Sequence, residues 1–340
     1  MTTLAVISKH LGLSMATVSR ALNGYPEVNA KTRQRVVEAA EQLGYKPNSV
    51  AQRLATGKSK MVGIMLQSPD ELVCAPTFLQ ELFYISNTLQ AKGYDLLINS
   101  STMGDNVEGL KNFVAKSAID GLIVKAPLVN DERIKFLIEK NIPFVVHGHD
   151  TSALEYAYYD IDNSSISSKA VAHLSELGHE RIVLINGDEK QAFAKKRSDS
   201  FIQAVVENNL NAEQCRVLHC AASVRDGENL AKQLLGGRDK PTAIICYSSK
   251  VAHGIYTIAK EMGLTIGADL SVIAHDDGVA HFETEKFEPP MTVTCAPLTN
   301  SSEPIAEAII QLISGESPAK LQTLMPVELV IRESTGTPRN

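Results

Sequence analysis

The segment from Leu4 to Leu22, LAVISKHLGLSMATVSRAL, most constrains how the N-terminal end of this chain can fold. Leucine or isoleucine stands at positions 4, 7 and 11, the spacing of a helix that buries one face. Gly12 can adopt the left-handed conformation that ends a helix, and the Ser14 hydroxyl can cap the helix that follows. The pattern therefore predicts two short helices joined by a tight turn.

The second predicted helix, about Met15 to Leu22, has one apolar side and one outward side. Its spacing buries Val18, Ala21 and Leu22. A helix this short can lie in the major groove of DNA, so we interpret the pair as a helix-turn-helix. An ordinary helical hairpin is the alternative that the pattern leaves open. The outward side carries Met15, Ala16, Ser19 and Arg20.

A third helix is predicted from Ala30 to Leu43, with Asn29 as its N-cap and Gly44 as its end. Residues 50–55 could form one more short helix after the break at Pro47. Four side chains of the third helix are expected to close a small core over the first two helices: Val36, Val37, Ala40 and Leu43.

Three motifs, ATVSRALNG, TRQRVVEAAEQLGYKPN and VAQRLATGKSKMVGIM, resemble the lactose-repressor (LacI) family of bacterial transcription regulators. The resemblance implies a hinge helix that orders when two copies meet on DNA, with Leu54 inserted into the minor groove. From the outward face and this resemblance, we expect DNA contacts from Ser14, Met15, Ala16, Thr17, Ser19, Arg20, Asn23, Asn48, Val50, Ala51 and Leu54.

Charge divides the chain into a basic head and an acidic body. Residues 1–60 hold nine lysines and arginines against three acids, a net +6, whereas the remaining 24 basic and 36 acidic residues give −12. A basic head suits the phosphate backbone of DNA. No apolar run reaches membrane-spanning length and no signal peptide is recognisable, so we expect a cytoplasmic protein.

A chain of 340 residues calls for two or three domains. We assign 1–47 to the DNA-binding domain and 48–60 to a hinge helix and linker. In 61–340, short apolar strands alternate with amphipathic helices, which predicts doubly wound parallel sheets in two lobes of periplasmic-binding-protein type, with a cleft between them. The resemblance implies three crossings, giving lobe 1 as about 61–160 and 291–322, and lobe 2 as about 161–290 and 323–340.

No motif of nucleotide-binding, metalloprotease or nucleophilic chemistry is present, and neither a metal nor a cofactor is predicted. A small molecule is expected in the cleft, at the carboxyl ends of the parallel strands. The segment from Cys246 to Ser249 departs from the Asn-Asp pair usual in the family. The resemblance places effector contacts at Pro76, Phe78, His147, Arg197, Ser248 and Asp276.

These observations predict a homodimeric repressor that binds inverted operator half-sites and responds to a small effector, most simply a sugar. Arginine and aspartate in the cleft suit a ligand rich in hydroxyl groups. A solute-binding protein of a sugar transporter would have similar lobes, but the basic head argues against it. A sugar-processing enzyme is the other alternative, although the sequence offers no catalytic constellation.

Overall fold

The computed structural model describes residues 3–45, 58–66, 76–100, 107–150, 152–237, 239–276, 278, 281–296 and 298–339. The chain divides into two compact units, Met1–Ser59 and Lys60–Asn340. We call the first unit the head and the second the body.

The helix-turn-helix prediction is confirmed in the head. The backbone of Gly12 has a φ of 64°, the left-handed conformation that ends the first helix. The Ser14 hydroxyl accepts a hydrogen bond from the Thr17 N–H at 3.0 Å and so caps the second helix. The Asn29 side chain caps the third helix in the same way. The head helices are α1 (Leu4–Leu11), α2 (Met15–Leu22) and α3 (Ala30–Gln42).

The head has a small core at the centre of its three helices. Ile7, Val18 and Val36 are each fully buried, one from each helix. The expectation that Val37 joins this core is wrong, because its side chain is 40% exposed. One residue further along a helix turns the side chain by roughly 100°, and here this rotation carries Val37 from the core side of α3 towards solvent.

The body alternates strands and helices, as predicted. In chain order its elements are β1 (Met61–Leu66), α4 (Pro76–Ala91), β2 (Asp95–Ser100), α5 (Val107–Lys116), β3 (Gly121–Lys125), α6 (Glu132–Glu139), β4 (Phe144–His147), β5 (Ala157–Ile161), α7 (Asn163–Glu176), β6 (Ile182–Asn186), α8 (Ala192–Glu207), β7 (Arg216–His219), α9 (Val224–Gly236), β8 (Ala243–Cys246), α10 (Ser249–Glu261), β9 (Ser271–Asp276), β10 (Thr292–Cys295), α11 (Ser302–Ile313), β11 (Gln322–Met325) and β12 (Glu328–Val330).

Within the described ranges, two six-stranded sheets form the two lobes. The first has the strand order β11-β5-β4-β3-β1-β2, and the second has the order β12-β10-β9-β8-β6-β7. The central strands are buried on both faces, as apolar runs such as Ile182–Asn186 predict. Among the strands that the structure describes, all pairs in the first sheet are parallel, and in the second only β12 runs antiparallel to its neighbour β10.

The structure corrects the second and third crossings between the lobes. Strand β10 pairs with β9 in the second sheet, so the crossing predicted near residue 290 follows β10 instead. The last segment, assigned to lobe 2 from residue 323, holds two strands in different sheets, β11 in the first and β12 in the second. Pro326 lies between them, and a proline cannot donate to a ladder, so the run is interrupted there. Strand β5 was not predicted and ends the first lobe before the first crossing.

Helices α9 and α10 of the second lobe approach each other backbone to backbone. A Cβ atom added at Gly254 would lie 2.3 Å from the carbonyl oxygen of Val224, and one at Gly227 would lie 2.3 Å from that of Val251. These two glycines therefore set how closely the helices pack.

We expect Gly254→Ala to destabilise the second lobe by about 1–3 kcal/mol, because the backbone of α9 must move to admit the methyl group. Gly236→Ala is the matched control, since nothing lies within 4 Å of a Cβ there. The control should be neutral or slightly stabilising. Urea unfolding followed by circular dichroism compares the two variants, and equal midpoints would contradict the packing argument.

Candidate functional site

The outward face of α2 carries side chains that could contact the bases of DNA. Met15 is 57% exposed, and Ala16 and Arg20 are also exposed. Val18 and Ala21 point into the head core and fix the orientation of this face. The face therefore presents two small or apolar groups and one guanidinium, whose donors can reach a guanine edge.

The other predicted DNA contacts of the head make hydrogen bonds within it. Thr17 and Ser14 join their hydroxyls at 2.8 Å, and Asn23 donates its side-chain amide to the Ser19 carbonyl oxygen at 2.9 Å. These bonds hold the ends of α2 in place. The predicted hinge contacts Asn48, Val50, Ala51 and Leu54 lie outside the described residues, and their role stays a prediction.

A cavity of about 300 Å³ lies in the body between the carboxyl ends of the two sheets. Lys125, His147 and Ile161 end strands β3, β4 and β5 on the first-lobe side. Parallel strands bring such residues to one edge, which is where open α/β folds bind ligands. The described residues that line it are Lys125, Ala126, Pro127, His147, Gly148, His149, Asp160, Ile161, Asn163, Phe193, Arg197, Ala222, Tyr247, Ser248 and His275.

Three predicted effector residues, His147, Arg197 and Ser248, line this cavity together. Ser248 also caps α10, because its hydroxyl accepts from the Lys250 N–H at 3.3 Å. Phe78 is buried in the core of the first lobe, with the Lys125 ammonium 4.4 Å from its ring centre, and is not among the described wall residues.

Two further predicted effector residues, Asp276 and Pro76, differ from these in their relation to the cavity. Asp276 ends β9 next to His275, and its carboxylate accepts from the Thr284 hydroxyl at 2.5 Å and from the Gly278 N–H at 2.9 Å. It is not among the described wall residues. Helix α4 begins at Pro76, whose side chain lies outside the described part of the chain.

Arg197 is held firmly at the second-lobe side of the cavity. Its side chain is buried, and its Nε donates to the Asn163 Oδ1 at 2.9 Å. The guanidinium carbon lies 5.0 Å from the ring centre of Phe193, which stacks on Tyr247 at 6.4 Å between centroids. A preorganised arginine of this kind loses little entropy when it donates to ligand oxygens.

Sequence reasoning missed Asn163, Phe193 and Tyr247 as wall residues. Asn163 begins α7 directly after β5, a strand that was not recognised. Tyr247 was noted only as a departure from the family pattern. A search for polar and aromatic residues immediately after each buried strand would have found Asn163 and Tyr247, because the carboxyl ends of parallel strands carry such sites.

His275 contributes a neutral imidazole to the wall. The side chain is only 3% exposed, and its Nδ1 lies 3.1 Å from the Thr294 hydroxyl. Burial lowers the pKa of His275 well below its ordinary value, and the charge of Arg197 lowers it further. The residue can therefore donate or accept a hydrogen bond without adding charge to the cavity.

Glu81 and Lys125 form a buried ion pair behind the first-lobe wall, and the Glu81 Oε1 lies 3.0 Å from the His147 Nδ1. Burial raises the pKa of Glu81, but the charges and hydrogen bonds of Lys125 and His147 outweigh it and hold the pKa at about 2. The carboxylate thus anchors two cavity residues. Among the described residues, no group of three histidines, cysteines or acids is placed to hold a metal.

Comparison with known proteins places both parts of the chain. A model described as bacterial regulatory proteins, lacI family, matches residues 3–48, and one described as a periplasmic binding protein-like domain matches residues 171–335. The chain is 36% identical to the HTH-type transcriptional regulator AglR of Rhizobium meliloti (strain 1021), over 97% of this chain and 93% of AglR. The chain belongs to the LacI family.

A solved structure and a further sequence relative agree with this LacI-family assignment. The lac repressor dimer bound to operator and the anti-inducer ONPF is 26% identical, with a TM-score of 0.80, covering 98% of this chain and 99% of that one. The HTH-type transcriptional regulator RafR of Escherichia coli is 28% identical over 94% of each chain. The predicted class, a DNA-binding transcriptional regulator with two periplasmic-binding-type lobes, is confirmed.

The buried Glu81 pair generates a stability prediction for this LacI-family body. Glu81→Gln leaves Lys125 and His147 facing a neutral group and should destabilise the body by about 3–5 kcal/mol at pH 7. Because the pKa of Glu81 is lowered from 4.5 to about 2, its carboxylate stabilises the fold above pH 4.5. That contribution is lost as the pH falls toward 2, so the deficit of the variant should shrink below pH 4.5.

Melting temperatures measured by circular dichroism at several pH values test this prediction. Glu108→Gln is the control, because Glu108 pairs with Lys111 at 3.5 Å on an exposed helix surface. Its effect should stay within about 1 kcal/mol. A Glu81→Gln protein as stable as the control at pH 7 would show that the buried pair contributes nothing.

Proposed function

We propose that this protein is a homodimeric repressor whose operator affinity is set by a sugar bound in the body cleft. The observation that carries the proposal is the cavity between the lobes, where His147 of one lobe and Arg197 of the other face the same space. A ligand held by both lobes favours one closure angle, and it can shift DNA binding only through its difference in affinity between two body conformations.

The expected ligand has several hydroxyl groups and at least one apolar face. Arg197 and His147 supply hydrogen bonds, and the stacked rings of Phe193 and Tyr247 offer a surface on which a pyranose ring can lie. The transcriptional regulator CelR, whose fold this body shares, was solved as a cellobiose complex. Asp276 remains in the proposed site because it ends β9 beside His275. We favour an inducer that releases DNA.

Dimerisation is proposed through the first lobe. Phe83 is 61% exposed and Leu79 is 51% exposed on α4, while Ile98 is 48% exposed on the edge strand β2. Apolar groups clustered in this way mark protein interfaces. Two heads on one dimer double the base contacts and match an inverted repeat, which a single head cannot.

The cytoplasm is the proposed location, since operator DNA lies there in bacteria. Within the described ranges, every helix is too short or too polar to span a bilayer. AglR and RafR are named as transcriptional regulators, and we propose no catalytic activity and no cofactor for this chain.

Arg20→Ala tests base reading by α2. Loss of a bidentate contact to guanine should remove roughly 1–3 kcal/mol of discrimination at one base position and relax the sequence preference there. Arg35→Ala is the charge-matched control, because Arg35 is exposed on α3. Binding-site selection followed by fluorescence anisotropy gives both measurements. Equal weakening on operator and random DNA would make Arg20 a phosphate contact instead.

Arg197→Ala tests the cleft. A thermal-shift screen of common mono- and disaccharides first identifies a ligand with the wild-type protein. The variant should then bind that sugar at least tenfold more weakly, because hydrogen bonds from a charged donor are lost. Arg216→Ala, on the exposed edge strand β7, serves as the control.

Full sugar binding by Arg197→Ala would remove Arg197 from the proposed site. A screen in which none of the sugars raises the melting temperature would overturn the sugar assignment, while leaving the DNA-binding role to the Arg20 experiment.

A further inference from the structure

Short segments of the two lobes hydrogen-bond to each other through their backbones beside the cavity. The Val129 N–H donates to the Lys190 carbonyl oxygen at 2.9 Å, and the Ala192 N–H donates to the Pro127 carbonyl oxygen at 2.9 Å. Leu128 and Gln191 form an antiparallel bridge between these bonds. The first segment follows β3 of lobe 1 and the second leads into α8 of lobe 2, so this bridge breaks whenever the lobes separate.

One turn into α8, Lys196 reaches across to the first lobe. Its ammonium donates to the His149 carbonyl oxygen at 2.8 Å and to the His149 Nδ1 at 2.5 Å, and lies 3.4 Å from the Asp160 Oδ2. The Lys196 side chain is 14% exposed and that of Asp160 is 7% exposed. This is a largely buried charged contact between the lobes, and such contacts are weakly screened by salt.

Both first-lobe partners of Lys196 are also held by other groups. The His149 Nδ1 also lies 3.3 Å from the Asp160 Oδ2, so the imidazole, the carboxylate and the ammonium form one cluster. The ring stacks on Tyr158 at 4.6 Å with an interplanar angle of 15°. The second carboxylate oxygen of Asp160 accepts from the Ile161 N–H at 2.9 Å and from the Asn163 side-chain amide at 3.1 Å.

Asn163 links this contact to the ligand cavity. Its amide nitrogen donates to Asp160, and its amide oxygen accepts from the Arg197 Nε. A continuous path of hydrogen bonds therefore runs from Lys196 through Asp160 and Asn163 to Arg197. A ligand that moves the guanidinium of Arg197 also alters the partners of Asp160.

We propose that Lys196 is a positioning residue that latches the two lobes of the body at one closure angle. The latch consists of Lys196, His149 and Asp160. Its consequence for regulation rests on the proposed function: if a cleft ligand controls operator binding, the strength of the latch sets how far the ligand can shift the closure angle. Burial lowers the pKa of Lys196, and the negative charge of Asp160 opposes this effect.

Hydrogen exchange of the full-length protein without ligand tests the latch directly, because the Val129 and Ala192 amides are protected by bonds between the lobes. Lys196→Met keeps the length of the side chain and removes the donors. We expect exchange in peptides covering these two amides to become about tenfold faster or more, as loss of a charged hydrogen bond implies. Amides of the core strand β6 should exchange as in the wild type.

Lys195→Met is the matched control, since Lys195 is exposed and pairs with Asp199 on its own helix at 2.5 Å. Lys196→Gln keeps an N–H donor group without the charge and should give a smaller increase at the same amides. Unchanged exchange in both Lys196 variants, or an equal increase in Lys195→Met, would overturn the latch.

The regulatory consequence has its own readout. With a sugar identified by the screen, the factor by which it changes operator affinity should differ at least threefold between Lys196→Met and Lys195→Met. If the sugar changes operator affinity by the same factor in both variants while exchange is faster in Lys196→Met, Lys196 holds the lobes together but has no part in the operator response. Absence of any operator response in the wild type would instead refute the proposed function, and the exchange result would still decide the latch.

Discussion

The two lobes of the body are joined by chain crossings after β5, β10 and β11, and hinge motion at such connections changes the closure angle between two lobes. Both sheets present the carboxyl ends of their strands to the space between, so polar residues of either lobe reach the same cavity. Any group that bonds across this space biases the closure angle. The cavity is therefore at once the place for a ligand and the place where a conformational equilibrium is set.

The charged side chains around the cleft form buried pairs, and each member of a pair depends on its partner for stability. Glu81 holds Lys125 and His147 on one lobe, while Asp160 receives Lys196 from the other. A buried charge without a partner is costly, so each pair fixes the positions of its members more firmly than a surface pair could. The Glu81 pair stabilises a wall within one lobe. The Asp160–Lys196 pair spans both lobes, so its strength depends on the closure angle.

Local sequence was sufficient for the head and for most of the body. The turn at Gly12, the caps Ser14 and Asn29, and the alternation of apolar runs are encoded by neighbouring residues, and the structure confirms them. The lobe bounds near residues 291 and 323 are wrong, because a strand joins whichever sheet offers it an edge and local pattern does not specify the sheet.

The cavity was only partly accessible from sequence. Arg197 and His147 came from the family resemblance, but their partners came from the structure. Arg197 bonds Asn163, 34 residues away, and Lys196 bonds His149, 47 residues away. Contacts over such separations depend on how the lobes fold and meet, so the local spacing of residues in one sequence does not predict them.

The central claim is that the cleft and the operator share one conformational equilibrium. Thermodynamic linkage makes that claim reciprocal: a ligand that weakens operator binding by some factor must itself bind more weakly by the same factor when operator is present. The decisive measurement is the affinity of the screened sugar for the wild-type protein, by calorimetry, with and without saturating operator. The account predicts a change of roughly 5–150-fold, equal to the change in operator affinity. Identical sugar affinities in both conditions would contradict it.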